Sequence, residues 1–532
     1  MKNWKSFLRR RRALLASLVL TCFAVFSGEE VYDYASPPNR EEKDCRFAYP
    51  EAPADLKPTT IALAPSDRSL PFGQESGFIN DASCLNRTAI YGVVRISTAE
   101  DVRNALAFAR KNNLKVTSAG QRHSMGGQSF SQGGLVLDMR GLNQIRLDKE
   151  HKIVNVQSGA TWAEVQRVLD QQGLAVQAMQ SINIFTIGGA LSVNAHGIAH
   201  SPGPVASTVK AFHIMLANGE VKAASPTENP ELFRLALGGY GLFGVILDAD
   251  LRVVNNEIYK LETHYMSYKS FPAFYEKNIE GNNEIGLVYG RLSISPTSYL
   301  EESVIHTYRR ARFDQEIPLM KSAKYVWFDR LVINFSKTGG FGRWVRWTLE
   351  KYAEPRLHGC IPRNEALNEK AVCLVSRNQE MYDSMAYLKN RLKDTDILQE
   401  YFVTPDKMRD FVDGLRGIVK RDGVNLLNVT IRVVHKDTIT ALPYAKQNMF
   451  AFVLYFNQKL NEADSRALRK ATIDLIDLTT NLGGTYYLPY QLYYSKEQLH
   501  KAYPEVGAFF AAKEKYDPDG LFTNKFYEKY GN

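Results

Sequence analysis

Several features that would announce a chemistry are missing from this chain. Its 532 residues contain five cysteines, no Cys-x-x-Cys pair and no Cys/His cluster at zinc spacing, which argues against a structural zinc site. No internal repeat marks a solenoid or propeller. Only one long uncharged apolar run occurs, Ala13 to Gly28. Net positive charge is also small outside the first residues: Lys2, Lys5 and Arg9 through Arg12 carry six of the formal +9, leaving +3 for the rest. A nucleic-acid surface usually needs a concentrated basic stripe, and the body has none. What remains is ordinary: 45% hydrophobic and 23% charged residues exclude a long disordered or collagen-like chain, and the length suggests two or three domains.

The basic cluster followed by a short apolar run reads as a secretory signal. As a helix, Ala13–Gly28 would reach about 24 Å, short of the ~30 Å hydrocarbon core. Val25 and Ser27 offer small residues at cleavage offsets. The alternative is an uncleaved signal anchor, with membrane association through residues 13–28. Either places the protein in an exported compartment, periplasmic or secreted. Apart from Cys22 in this segment, Cys45, Cys84, Cys360 and Cys373 remain. Four cysteines allow three pairings, and Cys45–Cys84 with Cys360–Cys373 closes the smallest loops.

Five stretches follow: the signal (1–28), a polar, Pro-rich arm (29–87), a Gly-rich region (88–256), a Tyr- and Phe-rich region (257–495) and a charged C-terminal segment (496–532). Residues 90–96 suit a strand. Ser97 stands three before Glu100, a capping-box pattern, and the helix after it puts Val102, Ala105, Leu106 and Ala109 on one face. Strands are expected at 114–117, 135–139 and 154–156, and a helix from Thr161 to near Gly173. The fourth stretch reads as an antiparallel sheet covered by helices such as 406–421 and 462–482, giving an α+β chain.

Three motifs stand out. Ser118-Ala-Gly-Gln-Arg-His-Ser124 leads a strand into Gly126 and Gly127, where backbone amides are able to approach a ligand closely and form a nest suited to a pyrophosphate. Arg122 occupies the position that a nucleophile elbow reserves for Gly, so His123-Ser124 is no hydrolase signature. A second Gly pair, Gly188-Gly189, precedes Ser192 and His196. His196 and His200 have i, i+4 spacing, but Gly197 and Pro202 oppose a helix, so no metal site is expected. The third motif, Gly239-Tyr-Gly241-Leu-Phe-Gly244, spells GxGxxG, yet a helix precedes it and a strand follows. That order is the reverse of the dinucleotide fingerprint.

Taken in order, Ala119–Ser124, Thr186-Ile-Gly-Gly-Ala190 and Leu237-Gly-Gly-Tyr-Gly-Leu-Phe-Gly-Val-Ile246 resemble the FAD-binding domain of the vanillyl-alcohol-oxidase, or PCMH, type, from about Ile90 to Val254. The resemblance implies a two-subdomain FAD-binding domain followed by a substrate domain. It implies FAD held by Ser118, Ala119, Gly120, Gln121, Arg122, His123, Ser124, Gly188, Gly189, Ser192, His196, Gly241, Val245, Ile246 and Asn524. His123 stands where many members bond the flavin covalently. Tyr516-Asp-Pro-Asp-Gly-Leu-Phe-Thr-Asn524 is similar to the family's closing segment, which returns beside the flavin.

The nearest branches are the sugar-lactone and alditol oxidases and the cytokinin dehydrogenases, but the substrate residues depart from both. Asn428-Val-Thr-Ile-Arg432 resembles the oxidases' Glu-x-Arg strand with Thr430 in place of Glu. Alternation sets Asn428, Thr430 and Arg432 on one face. Thr485-Tyr-Tyr-Leu-Pro-Tyr490 partly resembles a cytokinin dehydrogenase stretch, while the base of that group aligns near Ser181. Leu398–Thr404 resembles a strand of the alditol and decaprenylphosphoryl-ribose oxidases. The implied reaction is oxidation of a CH–OH group of a sugar, lactone or other alcohol, with oxygen or a membrane electron carrier as acceptor. Oxidation of a C–N bond or of a lipid-linked sugar, and a catalytically lapsed flavin-binding module, are the alternatives. Arg432 is the expected substrate-side cation; Thr430 stands beside it, and Tyr490, Tyr401 and His435 are candidates for proton transfer.

Overall fold

The computed structural model describes residues 69–201, 203–321, 326–352, 373–382 and 394–531. The basic and apolar N-terminal segment, Cys45 and Cys360 lie outside the described residues.

The first half builds two sheets. In the four-stranded sheet, Gly92–Arg95, Leu135–Asp138 and Val116–Ala119 run parallel, with Phe72–Glu75 antiparallel at one edge. The helix Ala99–Lys111 covers it through Val102, Ala105, Leu106 and Ala109, all fully buried. Its capping box is set one residue later than the sequence pattern suggests. Thr98 accepts from the Asp101 amide, and Asp101 returns the bond to the Thr98 and Ser97 amides. Asp at the third helical position serves as well as Glu, because only a reciprocal acceptor is required. The second sheet includes Ile153–Gln157, Val209–Met215 and Val245–Asn255, all antiparallel to their neighbours. The helix Trp162–Asp170, capped by Thr161 and Glu164, seals it.

The second half is an eight-stranded antiparallel sheet. Its centre holds Ile285–Leu292, Asn425–Val434, Met449–Lys459 and Asp394–Val403, each hydrogen-bonded to the next. Met449–Lys459 is buried along all but its last residue, as expected of a strand covered on both faces. One cover is helical: Met408–Asp422 supplies Phe411, which meets Tyr401 and Phe452. The other cover is the first half of the chain, and a single hydrophobic cluster runs through both halves from Val154 to Tyr530. The tail re-enters the first sheet, where the Val116 amide donates to the Leu521 carbonyl (2.8 Å) and Phe522 bridges to Val116 in parallel. Leu521 and Phe522 are buried in that sheet's core. No helix among the described residues is long and apolar enough to cross a membrane.

Candidate functional site

The strand Val116–Ala119 delivers the chain into the loop of Gly120 to Ser124. Gly120 is needed for contact: a Cβ there would lie 2.0 Å from Thr186 Oγ1. Gly188 meets Ser158 in the same way, its added Cβ 2.8 Å from the serine Cβ, while its amide donates to the Ser158 carbonyl. The segments 118–124, 158–160 and 186–189 are thereby pressed into one cradle. Ser118 Oγ and Ser158 Oγ are buried in it without a hydrogen-bond partner, a costly arrangement unless a ligand completes it. Arg122 holds a left-handed φ of 56°, so the loop turns sharply just before His123. Gln121 and Ser124 are half-buried. Ala119 is different: its side chain is core, with Ile79, Ile90, Phe130 and Val136.

Gly126 and Gly127 belong to the frame. Their amides donate to Gln128 Oε1 and Asp81 Oδ2, and their missing Cβ atoms admit the Tyr490 carbonyl and the Lys525 side chain. The Met125 amide donates to the Pro489 carbonyl (2.8 Å). The 488–490 stretch is thus fastened to the loop.

His123 is half-buried against Phe185, ring centroids 4.4 Å apart. Burial, with the charge of Arg122, pushes its imidazole down to about 4, leaving a neutral ring at pH 7.

In the GxGxxG stretch, Tyr240, Gly241 and Gly244 have φ of 54°, 73° and 148°, a turn unlike a dinucleotide fingerprint. The Tyr240 amide donates to the Ser192 carbonyl and the Tyr240 carbonyl accepts from Asn524 Nδ2 at 2.8 Å. The space where a Cβ of Gly241 would project is open. Val245 and Ile246 point their side chains into the two cores, so only their backbone is available to a cofactor.

From the sheet side, Asn428, Thr430 and Arg432 are half-buried while their neighbours are buried, so the three share the face toward the first half of the chain. Asn428 Nδ2 donates to Thr430 Oγ1 (2.8 Å) and Asn428 Oδ1 accepts from Arg291 (2.7 Å), which also pairs with Glu350 (2.9 Å). Arg432 crosses between the halves: Nη2 donates to Ser181 Oγ (2.9 Å) and Nη1 to the His196 carbonyl (3.2 Å). His435 instead bonds the His200 carbonyl at 2.5 Å.

Strand parity corrects one residue and supplies another. Tyr401 faces the helical cover, where its hydroxyl donates to Gln399 Oε1 (2.7 Å) and its ring meets Phe411, so it has no access to the site. Its neighbour Glu400 points the other way. Glu400, Val453 and Thr430 stand side by side on adjacent strands, as do Phe402, Ala451 and Arg432. Glu400 Oε1 lies 2.8 Å from His196 Nε2, with side chains 2% and 4% exposed. Burial opposes the charge of Glu400, but His196, Arg432 and the hydrogen-bonding Tyr490 outweigh it and hold the carboxyl below its usual range. Burial pushes the Tyr490 hydroxyl up, and Glu400 adds to that. The sequence signal for Glu400 was the one carboxylate in the stretch Ile397–Val403, beside Gln399 and among apolar and aromatic residues.

Residues 90–225 match a family described as FAD binding domain. The chain is 30% identical to cytokinin dehydrogenase 2 of Arabidopsis thaliana over 204 residues, 37% of this chain and 40% of the relative. It is 32% identical to L-gulonolactone oxidase of Mus musculus over 168 residues, 31% of this chain and 38% of the relative. It is 31% identical to decaprenylphosphoryl-beta-D-ribose oxidase of Mycolicibacterium smegmatis over 159 residues, 29% and 35%. The match therefore spans well under half the length of these curated relatives.

Proposed function

Since this chain belongs to the PCMH-type FAD-binding flavoproteins, we propose that it is an FAD-dependent oxidoreductase that oxidises a CH–OH group. The observation that carries this reading is the convergence of two polar sets. Ser118 Oγ and Ser158 Oγ are buried and unpartnered in a Gly120/Gly188 cradle, and His196 and Tyr490 meet Arg432 and Glu400 of the facing sheet. The first set fits a dinucleotide. The Ser118–Ser124 loop and the Ser158 and Thr186–Gly189 segments would hold its pyrophosphate. FAD, when bound, supplies a hydride acceptor.

The chain's own residues do the rest. Arg432 orients a substrate oxygen and stabilises negative charge that develops nearby. Thr430 has no useful basicity near neutral pH, so it positions rather than deprotonates. Tyr490 offers a hydroxyl for proton transfer. The neutral ring of His123 has a free lone pair, which a covalent bond to the flavin requires. Oxidation of a C–N bond is the second reading, favoured by the cytokinin dehydrogenase match; at Ser181, which bonds Arg432, it lacks a carboxylate.

We further propose export through residues 1–28, with oxygen or a membrane carrier as the electron acceptor. The test is a panel of alditols, lactones, other alcohols and amines added anaerobically to the purified yellow protein. Bleaching by an alcohol supports the reading; bleaching by amines alone transfers it to the C–N class; no bleaching by any member leaves a binding module. Acid precipitation should keep the flavin on the polypeptide in wild type and release it from His123→Ala.

A further inference from the structure

Four polar atoms around one point lack a hydrogen-bond partner although they are buried: His196 Nδ1, His196 Nε2, Glu400 Oε1 and Arg432 Nε. Nε2 and Oε1 approach to 2.8 Å without a well-directed hydrogen bond. Buried polar atoms left without partners cost about 1–3 kcal/mol each, so a purely structural role is poorly served here. Three aromatic rings, Phe402, Tyr444 and Tyr487, box the imidazole at 5.5–5.9 Å. The one hydroxyl that connects the pair outward is Tyr490, half-buried where the others are buried.

We propose that the Glu400–His196 pair is the proton acceptor of this site, reached through the Tyr490 hydroxyl. The proposal rests on the oxidoreductase reading. The carboxylate that the Glu-x-Arg pattern would place at Thr430 is found two strands away in the same row, across Val453, about 10 Å distant at the usual strand spacing. As the substrate's O–H bond breaks, its proton bonds to the Tyr490 oxygen and the Tyr490 proton bonds to the Glu400 carboxylate, its hydrogen-bond partner beside His196. The C–H bond breaks with its electron pair, which leaves as hydride to the oxidised flavin, the oxidant. The substrate becomes a carbonyl compound, and the pair has gained one positive charge.

The groups facing Glu400 come from every element around it. His196 comes from the 193–200 segment, Arg432 from the Asn425–Val434 strand, Tyr444 from the turn before Met449, and Tyr487 and Tyr490 from the 487–490 stretch. The three tyrosines are held above their ordinary value by burial.

The experiment uses the flavin-loaded protein, labelled with ¹⁵N-histidine. Glu400→Gln is expected to lower the His196 titration midpoint by one pH unit or more, because the carboxylate's charge no longer favours the imidazolium. An unchanged midpoint overturns the proposal. Tyr490→Phe leaves the pair intact, and with an alcohol that bleaches the wild-type flavin it should slow bleaching at least tenfold and abolish the solvent isotope effect. Bleaching at the wild-type rate overturns the proposal even if Glu400→Gln fails to fold. If no alcohol bleaches the wild type, the oxidoreductase reading fails while the His196 titration still decides whether the pair shares a proton.

Discussion

Arg432 and Ser181 are 251 residues apart in sequence and 2.9 Å apart in space, guanidinium nitrogen to hydroxyl oxygen. This bond ties the eight-stranded sheet to the segment leading into Thr186. It puts a cation where the cytokinin dehydrogenase pattern has a carboxylate.

Arg432→Ala should slow flavin reduction by ~10²–10³, the usual cost of removing a donor to developing negative charge. Flavin content should change little, since the cradle of Gly120 and Thr186 is untouched. Rapid-mixing absorbance with a bleaching alcohol measures both. Reduction at the wild-type rate would move the substrate face elsewhere.

Gly120→Ala tests the cradle. The new Cβ would lie 2.0 Å from Thr186 Oγ1 and 2.9 Å from Thr186 Cβ, and neither the loop nor the helix Ile187–Ser192 is able to yield without opening the site. Purified Gly120→Ala should carry substantially less flavin than wild type. Gly173→Ala serves as the control, since nothing lies near its Cβ; its strain from φ of 68° is local. Equal flavin in wild type and Gly120→Ala would remove this contact from the binding argument.

Much of this was legible from the sequence, and the parts that were not share a cause. Local signals worked where the chemistry is local: the helix start at Thr161, the buried stripe of Val102, Ala105, Leu106 and Ala109, and the alternation of Asn428, Thr430 and Arg432 all follow from spacing. The choice between Glu400 and Tyr401 turned on strand parity. In a strand buried on both faces both neighbours look like core, and only the partners reveal which face is which. The Gly126 and Gly127 amides point to Gln128 and Asp81 because segments hundreds of residues later, at Tyr490 and Lys525, pack against the loop. Spacing carries no record of such contacts.

The tail's latch gives a third prediction. Asn524 donates to the Tyr240 carbonyl and its Oδ1 accepts from the Tyr527 amide, capping the helix Lys525–Tyr530. It is 1% exposed, so Asn524→Ala leaves a buried carbonyl and a helix amide without partners, at about 1–3 kcal/mol. Thermal unfolding should show a lowered midpoint, and the Gly241 turn should hold flavin less tightly. Asn524→Asp keeps the cap but loses the donor, and should fall between the two. An Asn524→Ala protein as stable as wild type would mean that the tail is held by Leu521 and Phe522 alone.

Acid should weaken the fold through His200. Burial, with the charge of His435, pushes its imidazole down to about 4, although a bond to the Ile279 carbonyl acts the other way. Its ring is neutral in the fold at pH 6, whereas an unfolded histidine titrates near 6.5. A depressed folded value means that the unfolded chain binds the proton more readily. This contribution to stability is therefore fully present above about 6.5 and is lost as pH falls toward 4. His200→Gln removes the titration while retaining an amide that is able to reach Ile279. The variant's melting temperature should thus fall less steeply than wild type between pH 6.5 and 4, even if it is lower at pH 7. His123 is depressed in the same direction, so part of the acid sensitivity should survive in His200→Gln. Parallel curves for wild type and variant across that window would show that His200 exchanges its proton in the folded protein as readily as in the unfolded chain.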